Sequence, residues 1–330
     1  MSSHASTEPV RWGICGTGAI ARSFVAGLAH VADAEVVAFA SKDLARAEEL
    51  AVAHGARAHV GTAALAADDD VDVVYVASTQ DRHLDDVLTL VAAGRNVLCE
   101  KPFALSAPDA RQMCTAAADA GVFLMEALWS RFLPSYVRLA ELLAEGRIGR
   151  PQVLEANFSI SVPAAARDEH RLFDPARGGG ALLDLGVYPV QLAHLVFGAP
   201  DTVHATAHLT DRGIDAQTAM VLGWADGGAA VLHTAIATNG TCAARITGTD
   251  GVIELAPFMH CTTELTITTA DGVEVEAFAE PSLHFQVPEV HRCLAAGQLE
   301  SPIMPHAETL AIMDTLDRAL RQTGVQYPAS

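Results

Sequence analysis

The chain has 330 residues, half of them hydrophobic and 18% charged, which suits folded domains and excludes a disordered polypeptide. Asp and Glu total 40 against 21 for Lys and Arg, a formal net charge of -19. So acidic a surface repels phosphate backbones and anionic lipid, so neither nucleic acid nor a membrane is expected as a partner. Any phosphate site must be assembled locally, from backbone N–H groups and a few placed cations.

The length allows two domains, since single cores rarely grow past about 250 residues. In chain order, the first 125 residues alternate short β-rich runs with longer Ala- and Leu-rich stretches. Val10–Cys15 reads as a strand and Ala19–Val31 as a helix opened by glycines. Glu35–Ala40 is a second strand, followed by a helix over Leu44–His54. Val71–Ala77 is a buried strand, Leu84–Ala93 a helix, and Asn96–Cys99 a strand before Lys101-Pro102. A helix over Pro108–Ala120 and the strand Val122–Met125 complete the series. This alternation predicts an α/β Rossmann domain over residues 1–125, with a parallel sheet covered by helices on both faces.

The pattern changes after about Glu126. A helix over Ser135–Glu145 precedes Gln152–Ser161, which alternates as a strand, and Ala181–Phe197 reads as a helix entered through three glycines. From Thr202 to Phe278, short runs of Val, Thr, Ile and Leu are punctuated by Asp-Gly at 226–227, 250–251 and 271–272, the pattern of an antiparallel meander. Helices near Gln286–Ala296 and His306–Gln322 close the chain and are placed to pack back on the first domain. Residues 126–330 are therefore expected to form an α+β domain with a predominantly antiparallel open sheet, for substrate and oligomerisation.

The six cysteines are scattered without a C-x-x-C pair, and several lie in apolar runs such as Val97-Leu98-Cys99, so reduced, buried thiols in a cytoplasmic protein are expected. The fourteen histidines show no ligand spacing, and no metal is predicted. Residues 1–9 have neither a basic start nor an apolar stretch, so no export signal is read there, and no apolar run reaches the length of a membrane span.

Gly13-Ile14-Cys15-Gly16-Thr17-Gly18-Ala19-Ile20-Ala21 lies where the first strand turns into the first helix. Gly16 permits the tight turn, Gly18 lets the backbone approach a pyrophosphate, and Ala21 lets the helix pack closely on the strand. Phosphates would then meet unpaired N–H groups at the helix N-terminus, placing Gly16, Thr17, Gly18, Ala19 and Ile20 at a dinucleotide. A tight turn with no ligand is the plainer alternative. The second strand ends Ala40-Ser41-Lys42-Asp43, where NAD enzymes usually place an acid for the ribose hydroxyls. Ser41 and Lys42 coming first suits the 2′-phosphate of NADP, so NADP(H) is favoured over NAD(H). Asp43 either faces a ribose or starts the next helix, and Arg46 either covers the adenine end or lies on a solvated face.

Three further stretches carry chemistry: Val97-Leu98-Cys99-Glu100-Lys101-Pro102, Leu124-Met125-Glu126-Ala127-Leu128-Trp129-Ser130-Arg131-Phe132, and Gly178-Gly179-Gly180-Ala181-Leu182-Leu183-Asp184-Leu185-Gly186-Val187-Tyr188. A Lys-Pro pair at the carboxyl edge of a parallel sheet lies where α/β folds bind ligands. Asp184 and Tyr188, four apart on a predicted helix, are expected to share one face, with the three glycines letting that helix end approach a cofactor. A phenol, with a pKa near 10, is a weak base at neutral pH until a cation favours its ionised form, and Lys101 can supply one.

Together with the glycine turn, these stretches resemble the glucose-fructose oxidoreductase, inositol dehydrogenase and rhizopine catabolism (Gfo/Idh/MocA) family, across essentially the whole chain. The Trp129 stretch resembles the branch of dimeric dihydrodiol dehydrogenases and NADP-dependent xylose dehydrogenases. The resemblance implies a cis bond before Pro102, and a hydride exchanged between nicotinamide C4 and a hydroxyl-bearing carbon of an aldose or trans-dihydrodiol. In that mechanism Tyr188 moves the hydroxyl proton, Lys101 stabilises the developing charge on oxygen, and Asp184 orients substrate hydroxyls. It also implies a homodimer or larger homo-oligomer through the antiparallel sheet. Many relatives carry histidine at the position of Tyr188, which makes a cyclitol substrate less expected here, and the missing export signal disfavours the periplasmic type.

Glu100 would orient Lys101 or contact the ribose. Ser78-Thr79-Gln80-Asp81-Arg82-His83 matches a loop through which relatives touch the cofactor, although Gln80-Asp81 replaces the usual Pro-Asn. Thr79 and His83 are thus cofactor candidates, His83 equally a helix cap. Trp129 and Arg131 are placed to border the nicotinamide, or else to serve as a core aromatic and a surface ion pair, while His194 reads as a core histidine. A sugar ketoreductase of the same family, and a non-catalytic NAD(P)-sensing regulator, are the rival readings.

Overall fold

A computed structural model describes residues 8–327. Most of the leader region read for an export signal, residues 1–7, lies outside the described residues. The chain forms two compact units. The first takes the chain as far as Phe103, then Pro108–Trp129 and Ser282–His306; the second takes Ala104–Ala107, Ser130–Pro281 and the chain from Ala307.

The first unit is built on a six-stranded sheet of β1 (Val10–Cys15), β2 (Ala34–Ser41), β3 (Arg57–Val60), β4 (Val73–Val76), β5 (Asn96–Glu100) and β6 (Leu124–Ala127). Every pair is parallel and the order is β3-β2-β1-β4-β5-β6. Between successive strands run α1 (Ala19–Leu28), α2 (Leu44–His54), α3 (Gly61–Ala66), α4 (His83–Ala92) and α5 (Ala107–Ala120). All four residues of β4, Val-Val-Tyr-Val, are buried, as a strand covered on both faces requires, which is why its sequence runs apolar without alternation. The strand order reverses between β1 and β4, and such a reversal opens a ligand crevice at the carboxyl ends of those strands.

β3 and α3 are additions to the sequence reading. β3 is an edge strand whose Arg57 and His59 both reach Asp68, at 2.8 and 2.7 Å. Edge strands bury little, so no apolar run marks them.

The second unit holds an eight-stranded sheet of β7 (Pro151–Ser159), β8 (Thr202–Leu209), β9 (Asp215–Gly223), β10 (Ala229–Ala235), β11 (Ala244–Gly248), β12 (Gly251–Leu255), β13 (Glu264–Thr269) and β14 (Gly272–Ala277). The order is β14-β13-β12-β11-β7-β10-β9-β8, antiparallel throughout except where β7 runs parallel to β10. Along β9, Thr218, Met220 and Leu222 are buried while Gln217, Ala219 and Val221 face out, so one face is covered and the other open. α6 (Pro134–Ala144) and α7 (Val187–Phe197) pack against this sheet. The stretch Pro175–Phe197 is, by length and composition, apolar enough to cross a membrane, contrary to the sequence reading; its most apolar window is 83% buried, which is how a core helix uses such a composition.

The units depart from a single boundary at residue 126. α8 (Val287–Ala295) belongs to the first unit, whereas the last helix, α9 (His306–Thr323), belongs to the second. The indole of Trp12, wholly buried on β1, explains the return of α8: its Nε1 donates to His291 Nε2 at 3.1 Å, and His291 Nδ1 faces the Asp33 carboxylate at 3.1 Å.

Candidate active site

The carboxyl edge of the parallel sheet gathers most of the residues singled out from sequence. Gly16 follows β1, Ser41 ends β2, Thr79 follows β4, Glu100 ends β5 and Trp129 follows β6. The turn after β1 is pinned on both sides: Gly16 N–H donates to Ala40 O at 2.9 Å, and Ala77 N–H to Cys15 O at 2.8 Å. Gly16 has φ +118°, and a Cβ there would lie 2.5 Å from Ala77 O, so only glycine fits. At Gly18 a Cβ would meet nothing within 4 Å. Gly18 also caps α1 with no side-chain acceptor and no acid in the first turn, leaving the N–H groups of that turn to an anion. Thr17 is buried, Ala19 exposed, and Ile20 37% exposed, an apolar surface beside the turn. These features fit a dinucleotide's pyrophosphate.

At the end of β2, Asp43 is the N-cap of α2, its carboxylate accepting from Ala45 N–H at 3.0 Å, while Ser41 Oγ accepts from Asp43 N–H at 3.2 Å. One oxygen of the acid is thus engaged in the cap. Lys42 and Arg46 are exposed beside it.

The Lys101-Pro102 peptide is cis. Glu100, 4% exposed, accepts from the Tyr75 hydroxyl in a short contact and from Lys101 N–H at 3.1 Å, so its carboxylate holds the Lys101 backbone. His83, a cofactor candidate and equally a helix cap, opens α4. Its ring is 1% exposed, with Nδ1 3.0 Å from Pro102 O and Nε2 3.3 Å from Ser78 O, and burial lowers its pKa. It braces the Lys101-Pro102 peptide from behind. Thr79 is half-buried ahead of the turn Gln80–Arg82, and Trp129 is half-buried. A cavity of about 380 Å³ in this unit opens at the opposite edge of the sheet, beside Val10, Arg11, Asp72 and Asn96, so cavity size does not mark the chemistry.

In the second unit the three-glycine run leads into a π-helical turn, Leu182–Gly186, and then into α7. Such wide turns recur at functional sites. The turn carries Asp184 and α7 carries Tyr188, so the α-helical spacing expected to align them does not apply. Asp184, 4% exposed, gives both oxygens to Arg171, at 2.9 and 3.2 Å. Its carboxylate holds Arg171, whose side chain is 45% exposed. A Cβ on Gly180 would collide with Asp215 Oδ1, so packing inside this unit demands glycine there.

Tyr188, 5% exposed, packs edge-on to Phe158 at 5.5 Å and lies 4.6 Å from the His260 ring, which stacks on Phe158 at 4.2 Å. His260 follows Phe258, whose φ of +64° is strained for an aromatic residue and leaves its side chain 55% exposed. Ser130 Oγ–H fixes the His260 carbonyl at 2.5 Å.

Arg131 makes the ion pair that is one of its two expected roles, buried and not at the surface. Its guanidinium is buried and donates to Gln191 Oε1 at 2.5 Å, Gln191 O at 2.8 Å and Glu308 Oε1 at 2.7 Å, tying the segment after β6 to α7 and α9. His194 is the core histidine expected, 2.9 Å from Thr315 Oγ1, with its pKa pushed down to about 4 by burial. Sequence reasoning missed Phe158, Arg171, Asp215 and His260, which sit in a strand, a loop and short turns without periodic pattern.

Residues 10–128 match the family described as "Oxidoreductase family, NAD-binding Rossmann fold", and residues 136–254 match the GFO/IDH/MocA C-terminal domain. The chain belongs to the Gfo/Idh/MocA oxidoreductase family. As such it is an NAD(P)-dependent oxidoreductase acting on hydroxyl-bearing carbons. This Gfo/Idh/MocA chain is 36% identical to a trans-1,2-dihydrobenzene-1,2-diol dehydrogenase of Danio rerio, over 96% of its own length and 98% of the relative's. Among solved structures it resembles KijD10, a 3-ketoreductase from Actinomadura kijaniata in complex with NADP and TDP-benzene, with a TM-score of 0.85, 26% identity, and coverage of 98% of this chain and 100% of that one. An aldose-aldose oxidoreductase from Caulobacter crescentus shares the fold, with a TM-score of 0.87 at 21% identity over 96% of this chain and 97% of that one.

Proposed function

We propose that the chain is an NADP(H)-preferring dehydrogenase or reductase that interconverts the CH–OH and carbonyl forms of a trans-dihydrodiol or an aldose. The observation that carries the cofactor preference is the capture of Asp43 as the cap of α2. That leaves the Ser41 hydroxyl hydrogen, Lys42 and Arg46 at the strand end where a 2′-phosphate is read. NADP in the related KijD10 complex supports the same choice.

When bound, the nicotinamide supplies the hydride acceptor or donor. Tyr188 holds the proton of the substrate hydroxyl and moves it, and Lys101, its backbone fixed by Glu100 and its peptide braced by His83, stabilises charge on the oxygen. The mechanism needs both side chains at one reacting carbon. The exposed ring of Phe258 and the His260 ring beside Tyr188 suit a flat, apolar ring with vicinal hydroxyls and favour the diol, as do the relatives named for that substrate.

Turnover of NADP with a panel of diols and aldoses is the direct test, and Lys42→Ala should weaken NADP far more than NAD. Equal loss for both cofactors would overturn the reading of the strand end. Tight NADPH binding with no turnover on the whole panel would instead mark a sensor. We also infer a homodimer through the open face of the second sheet, where Val221 and Val231 are 49% and 52% exposed; sedimentation as a monomer at micromolar concentration would refute it. All six cysteines are free and five are buried, which supports the cytoplasm as its compartment; a disulfide in protein isolated from cells would count against that.

A further inference from the structure

Beneath the turn that carries Asp184 and leads to Tyr188 lies a carboxyl group that the proposed chemistry does not use. Asp215, the first residue of β9, is wholly buried. Its Oδ2 accepts from Leu182 N–H at 2.7 Å and from Thr218 Oγ–H at 2.7 Å. Its Oδ1 lies against Gly180 without a hydrogen-bond partner. The C-terminal segment reaches the same place: the Tyr327 hydroxyl donates to Gly179 O at 2.9 Å and lies 3.1 Å from where a Gly180 Cβ would be. On the other side, Thr234 Oγ–H reaches Ala181 O at 3.3 Å and Phe158 O at 2.9 Å. The entry to the catalytic helix is therefore gripped by its N–H group at 182 and by its carbonyls at 179 and 181.

We propose that Asp215 and Tyr327 are positioning residues, which together fix the turn Leu182–Gly186 and so set where Tyr188 stands. Resting on the reading of Tyr188 as the proton-transfer group, this adds the last described residue of the chain to the parts that hold it. A carboxyl group at this place is costly. Burial pushes Asp215 up to about 6, against the hydrogen bonds from Thr218 and Leu182. The groups facing it are the Thr218 hydroxyl, the amides of Leu182, Ala181 and Asp215 itself, and the hydroxyl of Tyr327, and Asp184 lies on the turn it holds; among the described residues none of its partners is a cation. Its folded value exceeds the unfolded 3.8, so its contribution to stability is full below 3.8 and is lost as pH rises through about 6. A neutral acceptor of the same shape would hold the turn without that loss.

Three variants test the proposal. Tyr327→Phe keeps the ring and removes one hydrogen bond, so it should fold; Asp215→Ala removes the grip on Leu182; Asp215→Asn keeps an acceptor. Hydrogen exchange of the peptide covering 181–188 should quicken about tenfold in the first two, the scale of one lost buried hydrogen bond. Their kcat per folded molecule should fall severalfold while the Kd for NADPH stays at the parent value. Asp215→Asn should restore both, and should raise thermal stability above about pH 6 with the gain vanishing towards pH 4. Exchange at 181–188 in Tyr327→Phe equal to the parent's, or kcat intact in Asp215→Ala, overturns the proposal. A parent with no turnover on any substrate sinks the role given to Tyr188, and the exchange data still decide whether Asp215 and Tyr327 hold the turn.

Discussion

Tyr188→Phe is expected to lower kcat by roughly 10²- to 10⁴-fold, the usual contribution of a positioned general acid or base. The substitution is unusually clean. Phenylalanine keeps the ring that packs on Phe158 and His260, at 5.5 and 4.6 Å, and loses only the hydroxyl. Folding should therefore be preserved, and NADPH affinity, assigned in the proposed function to the glycine turn of the first unit, should match the parent's. Steady-state kinetics with a fluorescence titration of NADPH separates the two quantities. An unchanged kcat removes Tyr188 from the mechanism.

Gly16→Ala should abolish NADPH binding at concentrations that saturate the parent. The added methyl would sit 2.5 Å from Ala77 O, and the residue would have to hold φ +118°. Left-handed strain and overpacking each cost about 1–3 kcal/mol, so urea unfolding should show a comparable loss. The turn cannot relax freely, because its flanks are hydrogen-bonded to Ala40 and Ala77. A variant that binds NADPH as the parent does would show that the turn is not the phosphate site.

The two units differed in how far their sequences could be read. Strands covered on both faces, such as β4, leave uninterrupted apolar runs, and glycine, Lys-Pro and helix caps punctuate them locally, so the dinucleotide edge could be placed from short windows. The proposal that Lys101 acts with Tyr188 draws on the family resemblance as well as on the residues. Short windows fail where the deciding partner is remote. The partners that bury Arg131, Gln191 and Glu308, lie 60 and 177 residues away. The packing demand on Gly180 comes from Asp215, 35 residues further along the chain. Asp215 itself follows Thr-Asp-Arg-Gly-Ile, which reads as turn residues. No periodicity marks His260, which is delivered to Tyr188 by a short turn after a strained phenylalanine.

The return of α8 to the first unit bears on how the protein is made. The indole hydrogen of Trp12 finds its acceptor 279 positions downstream, and helix and loop residues 282–306 are part of the same compact body as the glycine turn. During synthesis, the nucleotide-binding unit stays incomplete while residues 130–281 are added, because 282–306 belong to it. Its nascent form exposes the surface that this segment will cover, so the first unit cannot close until residues 282–306 have been made.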